Sequence, residues 1–344
     1  MRNKLGKKRS LYLRADMNET IATGHVMRCL SIADAAKEMG IQATFLLADE
    51  NACGLIRERG HECIVLNSLW NRPETELPVM RKLIREREIE KLIVDSYSVN
   101  ETYLSELSKL TEVTYIDDVN AFHYPVQGLI CYAPYYRNFG YGSEFVWDKM
   151  YLGSRYAPLR KDFMNLAKKE ISKQVENILL VSGGSDHYHI LSRITELLEK
   201  KHKYSLDVIC GRYNDDYPSL ECRYAGNESV SIHKTVDTLL PFMQKADLAI
   251  SAGGSTLYEL CACQTPTITY YFAENQIENV RAFEKDGVMA LAGDARSDDF
   301  LSHLEKILSG YESVEVRKEL SLKMNQYVDG LGAVRIVREM FRES

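Results

Sequence analysis

A histidine that follows a predicted strand is the first candidate for chemistry in this chain. The stretch IATGHVMR, residues 21 to 28, comes after the apolar run LYLRAD, which ends in Asp16. Gly24 permits close backbone approach, and His25 lies at the start of a predicted helix whose dipole disfavours the imidazolium form. A neutral imidazole is the form that a general base requires. The motif therefore predicts a catalytic base at His25 or, alternatively, a histidine that only caps a helix.

Two Gly-Gly pairs follow predicted strands in the second half of the chain, within SGGSD and SAGGST. A junction between a strand and a helix exposes backbone N–H groups that can bind phosphate. Neither pair belongs to a G-x-x-x-x-G-K-S/T or G-x-G-x-x-G motif, and close packing of strand on helix is the alternative role. We expect these loops to bind a diphosphate through Gly183, Gly184, Ser185, Gly253, Gly254, Ser255 and Thr256.

Three further polar residues lie near the second of these loops. Glu259 comes four residues after Ser255, on the same face of a predicted helix, where its carboxylate can accept both hydroxyls of a ribose. Asn275 and Gln276 follow the predicted strand TITYYF and can bind sugar hydroxyls or amides. The alternatives are a solvent-facing acid and a helix N-cap.

A strand-end cluster in the first half contains Asp95, Tyr97, Asp117 and Asp118. Adjacent carboxylates can bind a cation, but Mg²⁺ usually needs phosphate oxygens as well, so we predict no metal site. The eight cysteines include no C-x-x-C pair, which favours buried thiols over a zinc site.

Short apolar runs alternate with helix-period segments along most of the chain, which is typical of βαβ units and parallel sheets. The helix-period segments include 187–199 and, near the end, 297–308, 312–328 and 333–342, and the alternation breaks into an irregular segment between 117 and 175. A length of 344 residues exceeds what one core usually serves. A segment rich in Tyr, Gly and Pro, within residues 117 to 175, predicts the boundary between domains at 1–160 and 161–344. We expect an α/β protein with two Rossmann-like, doubly wound domains facing across a cleft, with one of the last helices packing back on the first domain.

Composition limits the partners of the protein. Hydrophobic residues make up 45% and charged residues 27%, with a formal net charge of −6. A chain without a basic field is not expected to bind nucleic acid, and no apolar run is long enough to span a membrane. The basic N-terminal stretch lacks the apolar core of a signal peptide, so we expect a cytoplasmic protein. The sequence does not fix the oligomeric state, and a monomer is the working expectation.

Several of these stretches together resemble one family. The chain contains RADMNETIATGHVMRCLSIA, IVDSY, YIDD, LGSRYAPLRKDF, VSGGSD and ISAGGSTLYELCACQTPTITYYFAENQ, in that order. They resemble the PseG family, the UDP-sugar hydrolases of pseudaminic acid biosynthesis, and the related spore-coat polysaccharide proteins called SpsG. The last stretch is also similar to the nucleotide-binding region of MurG-type glycosyltransferases.

The resemblance implies a GT-B fold with UDP held mainly by the second domain and the sugar reaching toward the first. It implies hydrolysis of a UDP-2,4-diacetamido-2,4,6-trideoxyhexose by water at the anomeric carbon, without a metal or redox cofactor. His25 would be the base and Asp16 a second catalytic residue nearby. Gly24 and Arg28, also nearby, would contact the substrate. The remaining roles implied are ribose binding by Glu259 and sugar binding by Tyr97, Asn275 and Gln276. After YIDD the chain reads GLICYAPYYRN, where the family carries an asparagine-bearing signature.

Two other functions compete with hydrolysis in nonulosonic acid or surface polysaccharide biosynthesis. A glycosyltransferase or epimerase of the same fold would use another acceptor, or none, in place of water. A non-catalytic subunit that binds a nucleotide sugar would leave its ligand unchanged. The chemical product separates these functions, and the sequence does not.

Overall fold

The computed structural model describes residues 9–18, 20–21, 23–141 and 149–342. The chain forms two compact units. Unit 1 consists of Met1–Lys161 together with Gly330–Ser344, and unit 2 consists of Asp162–Asp329. Each unit has a parallel β-sheet of its own.

Unit 1 contains seven strands: β1 (Ser10–Ala15), β2 (Gln42–Leu47), β3 (Glu62–Val65), β4 (Lys91–Asp95), β5 (Glu112–Ile116), β6 (Gly128–Cys131) and β7 (Lys149–Leu152). They form one parallel sheet in the order β3-β2-β1-β4-β5-β6-β7. In this order β1 is flanked by β2 and β4, so that Leu13 pairs with Phe45 on one side and Ile93 on the other. The carboxyl ends of all seven strands therefore lie at one edge of the sheet.

Helices cover both faces of this sheet. They include α1 (Gly24–Glu38), α2 (Cys53–Glu58), α3 (Leu77–Glu86) and α4 (Glu101–Ser108). Along β1, Leu11 and Leu13 pack in a core with Leu30 of α1, whereas Tyr12 points to a second core that contains Met80 of α3. Because successive side chains of a strand point to opposite faces, the apolar run of β1 contributes to both cores.

Unit 2 has six strands: β8 (Asn177–Val181), β9 (Ser205–Cys210), β10 (Val230–Lys234), β11 (Leu248–Ala252), β12 (Thr267–Tyr271) and β13 (Ala290–Asp294). They are parallel in the order β10-β9-β8-β11-β12-β13. The helices of this unit are α5 (Ile190–Glu199), α6 (Tyr217–Arg223), α7 (Leu240–Lys245), α8 (Thr256–Ala262), α9 (Glu274–Lys285), α10 (Phe300–Tyr311) and α11 (Val314–Tyr327). The predicted α/β class with two parallel sheets is confirmed.

Two local predictions differ from the structure. The helix predicted over 187–199 begins only at Ile190, because the Asp186 carboxylate accepts the N–H groups of Ile190 and Leu191 and fixes the start there. The segment predicted to be irregular contains the short strands β6 and β7. The glycine that opens β6 permits tight pairing, since a Cβ at Gly128 would lie 2.6 Å from Thr114 Oγ1.

The last helix, α12 (Gly332–Met340), belongs to unit 1 although it follows unit 2 in the chain. Ala333, Ile336 and Val337 are buried in the same core as α1. Gly332 allows the start of α12 to pack closely against the backbone at Ala157. A Cβ at position 332 would lie 2.2 Å from the Ala157 carbonyl oxygen. Among the residues described, no helix combines the length and apolarity needed to cross a membrane.

The substitution Gly332→Ala tests whether this close contact holds α12 in place. The added methyl group would displace the backbone at Ala157, so we expect the free energy of unfolding of unit 1 to fall by about 1–3 kcal/mol. Gly54→Ala is the control, because nothing lies within 4 Å of a Cβ at this helical glycine. Urea denaturation of both variants measures the difference, and equal effects would contradict the proposed packing role.

Candidate functional site

The histidine of the sequence motif is paired with a carboxylate at the carboxyl edge of the unit 1 sheet. His25 is buried in the first turn of α1, and its Nδ1 lies 2.6 Å from Oδ1 of Asp95, the last residue of β4. A carboxylate only accepts hydrogen bonds, so a neutral His25 carries its proton on Nδ1. Nε2 is then the atom that can accept a proton from a ligand.

Asp95 is fully buried. Burial alone would raise the pKa of this carboxyl, but the charge of Arg28 and the hydrogen bonds from Arg28 and His25 outweigh it and lower the pKa to about 2. The partner of His25 is therefore a carboxylate at every pH at which the protein is expected to work.

Arg28 lies one helical turn after His25 and binds Asp95 with two hydrogen bonds. Its Nε donates to Oδ2 and its Nη2 donates to Oδ1, each at 2.6 Å. Nη2 also lies 3.0 Å from His25 Nδ1. Since both nitrogens carry hydrogen, we interpret this approach as two donors that share one acceptor oxygen. Arg28, which was predicted to contact substrate, is engaged mainly with protein groups.

The third nitrogen of the same guanidinium reaches the next strand end. Arg28 Nη1 donates to Asp118 Oδ2 at 3.2 Å and to the Tyr132 hydroxyl at 3.0 Å. The Tyr97 hydroxyl donates to Asp118 Oδ1 at 2.7 Å, and the Tyr97 ring packs edge-on against the His25 ring with centroids 4.7 Å apart. We call this group of His25, Arg28, Asp95, Tyr97, Asp118 and Tyr132 the His25 cluster.

The structure gives Asp16 hydrogen-bond partners other than His25. Its Oδ1 accepts the Ala48 N–H at 2.7 Å, and its Oδ2 accepts Arg14 Nη1 at 2.5 Å. Arg14 in turn binds both oxygens of the buried Glu76. These bonds hold the end of β1 to the residue that follows β2, and the catalytic role of Asp16 stays a prediction.

Asp117, next to Asp118, is also structural. It accepts hydrogen bonds from the backbone N–H groups of Val119 and Asn120 and from the hydroxyls of Tyr124 and Tyr141. The two adjacent acids thus have separate surroundings. Within the described ranges, no group of three or more His, Cys, Asp or Glu side chains is arranged to hold a metal ion.

In unit 2, the first Gly-Gly loop lies between β8 and α5 but does not open the helix directly. Gly183 and Gly184 are exposed, and Gly183 has a φ of +90°. The loop is held by the Tyr213 N–H, which donates to the Gly184 carbonyl, and by the close approach of Gly211. Because Asp186 already accepts the first N–H groups of α5, these are occupied, and a phosphate would have to bind the loop itself.

The second loop leads straight into a helix. Gly254 and Ser255 come immediately before α8, which begins at Thr256. Gly253 is needed for packing, since a Cβ there would lie 2.3 Å from Val280 Cγ1 on α9, while Asn279 Nδ2 donates to its carbonyl at 3.1 Å. The carbonyl side of this loop is thus fixed by α9.

The other candidates of unit 2 lie on the helices that follow β11 and β12. Glu259 is a half-buried residue one turn into α8, and Asn275 is exposed in the first turn of α9. Gln276 is partly occupied, because its Oε1 accepts the Phe272 N–H at 3.0 Å. The amide nitrogen of Gln276 has no such bond to the backbone of Phe272 and is the part that we expect a ligand to use.

Part of unit 2 matches a known family model, and the chain is similar in sequence to two curated proteins. Residues 178–324 match the model of the glycosyltransferase family 28 C-terminal domain. A Helicobacter pylori protein named pseudaminic acid cytidylyltransferase and UDP-2,4-diacetamido-2,4,6-trideoxy-beta-L-altropyranose hydrolase is 22% identical over 93% of this chain and 53% of its own length. The spore coat polysaccharide biosynthesis protein SpsG of Bacillus subtilis is 23% identical over 55% of each chain.

A solved structure extends the match to the whole fold. MurG of Acinetobacter baumannii superimposes with a TM-score of 0.71 at 13% identity, over 96% of this chain and 98% of that chain. The chain is similar to PseG and SpsG proteins in sequence and to MurG in fold. The predicted GT-B fold class is confirmed by the same superposition. The chain spans about half the length of the curated relatives it matches.

The sequence pattern did not identify Asp95 as the partner of His25. The signal was present, because the strand KLIVD ends in Asp95 and a doubly wound sheet places its fourth strand beside its first. Asn279, which binds the Gly253 carbonyl, carries no such signal because it lies inside a helix.

The lowered pKa of Asp95 predicts how the stability of unit 1 changes with pH. A carboxyl with a folded-state pKa of about 2 stabilises the fold above its unfolded-state pKa near 4, by on the order of 2 kcal/mol, and this contribution is lost as the pH falls toward 2. We expect Asp95→Asn to be less stable than the wild type, with a difference that is largest above about pH 4 and narrows below it.

Urea denaturation between about pH 3 and 6 measures this difference. Glu58→Gln, which removes an exposed carboxylate from the same unit, is the control and should show no such pH dependence. A gap between Asp95→Asn and wild type that stays constant over the whole range would contradict the assignment.

Proposed function

We propose that this protein is an enzyme that hydrolyses a nucleotide sugar, releasing UDP from a UDP-2,4-diacetamido-2,4,6-trideoxyhexose in nonulosonic acid or surface polysaccharide biosynthesis. The observation that carries the proposal is the buried His25–Asp95 pair, 2.6 Å long, at the carboxyl edge of the unit 1 sheet. The proposed substrate and reaction are supported by the name of the Helicobacter pylori relative, which includes this hydrolase activity. We expect the reaction in the cytoplasm.

In this proposal His25 takes a proton from the attacking water. Asp95 holds Nδ1–H, so Nε2 points its lone pair at the water, and the carboxylate stabilises the imidazolium that forms. The water oxygen bonds to the anomeric carbon as the bond from that carbon to the UDP oxygen breaks, and UDP leaves with the electron pair. Arg28 keeps Asp95 ionised and in place throughout.

The diphosphate is assigned to unit 2. The loops at Gly183 to Ser185 and at Gly254 to Thr256 are rich in backbone N–H groups, and Glu259, in the first turn of α8, is proposed to accept ribose hydroxyls. The exposed Asn275 and the amide nitrogen of Gln276 are proposed to bind the sugar. The kinetics of variants in each unit test these assignments.

A glycosyltransferase is the second candidate, because the family model that matches most of unit 2 describes glycosyltransferases. In that case the oxygen that loses its proton to His25 belongs to an acceptor hydroxyl instead of water. The products separate the two functions, since hydrolysis yields free sugar and transfer yields a glycoside.

The first experiment follows UDP-2,4-diacetamido-2,4,6-trideoxy-β-L-altrose by ³¹P NMR with the wild type and with His25→Ala. We expect wild-type protein to release UDP and free sugar, and His25→Ala to lower kcat by about 10²–10⁴-fold, the usual contribution of a general base. The affinity for UDP alone, measured by calorimetry, should be unchanged because UDP is assigned to unit 2.

His123→Ala, at an exposed histidine of the same unit, is the matched control and should retain full activity. Unchanged turnover by a folded His25→Ala variant would exclude the proposed base. Binding of the nucleotide sugar by the wild type without any turnover would favour the non-catalytic function or a different sugar.

A further inference from the structure

Asp118 is a carboxylate in the His25 cluster for which the proposed reaction has no role. It follows β5 directly, and each of its two oxygens accepts one side-chain hydrogen bond, from Tyr97 and from Arg28. Its side chain is 22% exposed, whereas the neighbouring Asp95 side chain is completely buried. Each carboxylate oxygen can accept two hydrogen bonds, so Asp118 retains acceptor capacity on its exposed side.

Two tyrosines fix the position of this carboxylate. Tyr135 donates from its hydroxyl to the Asp118 backbone carbonyl at 3.3 Å, and Tyr132 shares Arg28 Nη1 with the Asp118 side chain. Both belong to CYAPYY, the segment in which this chain departs from the family pattern. Asp118 is thus held by hydrogen bonds to both its backbone carbonyl and its side chain.

The charges of the cluster determine which part of a ligand can bind here. Arg28 contributes one positive charge, and Asp95 and Asp118 contribute one negative charge each, so these three groups together carry a net charge of −1. An anionic diphosphate is repelled by such a site. A neutral group with O–H or N–H donors is attracted to it, because a carboxylate can only accept hydrogen bonds.

The Tyr97 ring adds an apolar surface beside these acceptors. Tyr97 is 55% exposed, although its hydroxyl is bonded to Asp118 and one edge packs on His25. A sugar ring offers the matching combination, since its rim carries hydroxyl and acetamido donors and its faces carry C–H groups.

We propose that Asp118 is a specificity-determining residue that accepts hydrogen bonds from a hydroxyl or acetamido N–H of the sugar, while the Tyr97 ring packs on the sugar face. This inference rests on the proposed function only in taking a nucleotide sugar as the ligand. It assigns recognition of the sugar to Asp118, in addition to the residues of unit 2.

The test compares the affinities for UDP and for UDP-2,4-diacetamido-2,4,6-trideoxy-β-L-altrose by isothermal titration calorimetry. The measurements use His25→Ala and the double variant His25→Ala with Asp118→Asn, so that the ligand is not consumed. Hydrogen bonds to a charged group contribute about 1.5–3 kcal/mol, and we therefore expect Asp118→Asn to weaken binding of the nucleotide sugar by at least about 10-fold. Binding of UDP should not change.

Two further variants separate recognition from structure. Tyr97→Phe keeps the ring and should reduce nucleotide-sugar affinity less than Asp118→Asn, and Glu58→Gln should change neither affinity. Should Asp118→Asn fail to fold, as judged by its circular dichroism, Asp118→Glu is measured instead, and the longer side chain should also weaken nucleotide-sugar binding selectively.

The ratio of the two affinities decides the outcome. A folded Asp118 variant with an unchanged ratio, or with both affinities reduced equally, would overturn the inference. Failure of the wild type to release UDP, together with a selective loss in Asp118→Asn, would refute hydrolysis and leave the sugar-binding role supported.

Discussion

The ion pair between Arg28 and Asp95 is the interaction on which the whole His25 cluster depends. A buried carboxylate without a partner would take up a proton, and a protonated Asp95 could no longer hold the Nδ1–H of His25 as a charged acceptor. Two hydrogen bonds of 2.6 Å from Arg28 keep it ionised. Loss of either partner of such a pair costs on the order of 3–5 kcal/mol, which ties the stability of unit 1 to the chemistry of the site.

Sheet topology brings these groups together from distant parts of the chain. His25 and Arg28 are three residues apart on α1, so they lie on one face of the helix. Asp95 and Asp118 end β4 and directly follow β5, and the order β1-β4-β5 places both strand ends next to the helix that follows β1. The motif GHVMR thus supplies the histidine and the arginine, and the sheet supplies the two acids.

The sequence predicts the parts of this arrangement that depend on local pattern. The alternation of strands and helices, the last three helices and the position of His25 at a helix start follow from periodicity and from Gly24. The local pattern does not predict that His25 pairs with Asp95 instead of Asp16. This pairing depends on the order of the strands and on Arg14, a charged residue inside β1 that binds the Asp16 carboxylate. The local pattern also does not predict that α5 begins as late as Ile190. This start depends on the Asp186 side chain accepting the first N–H groups of the helix, which the sequence alone does not indicate.

The charge of the cluster also bears on how such a site would lower a reaction barrier. When a diphosphate leaves an anomeric carbon, positive charge develops on the sugar and negative charge on the leaving group. A site with two carboxylates, one guanidinium and a histidine stabilises the positive charge on the sugar and disfavours the anionic leaving group. The charged groups need not rearrange during the reaction, because hydrogen bonds of Arg28, Tyr97 and Tyr132 already hold them in place. The groups that stabilise the diphosphate must therefore lie outside the His25 cluster, which is the physical reason for assigning the glycine loops of unit 2 to that part of the ligand.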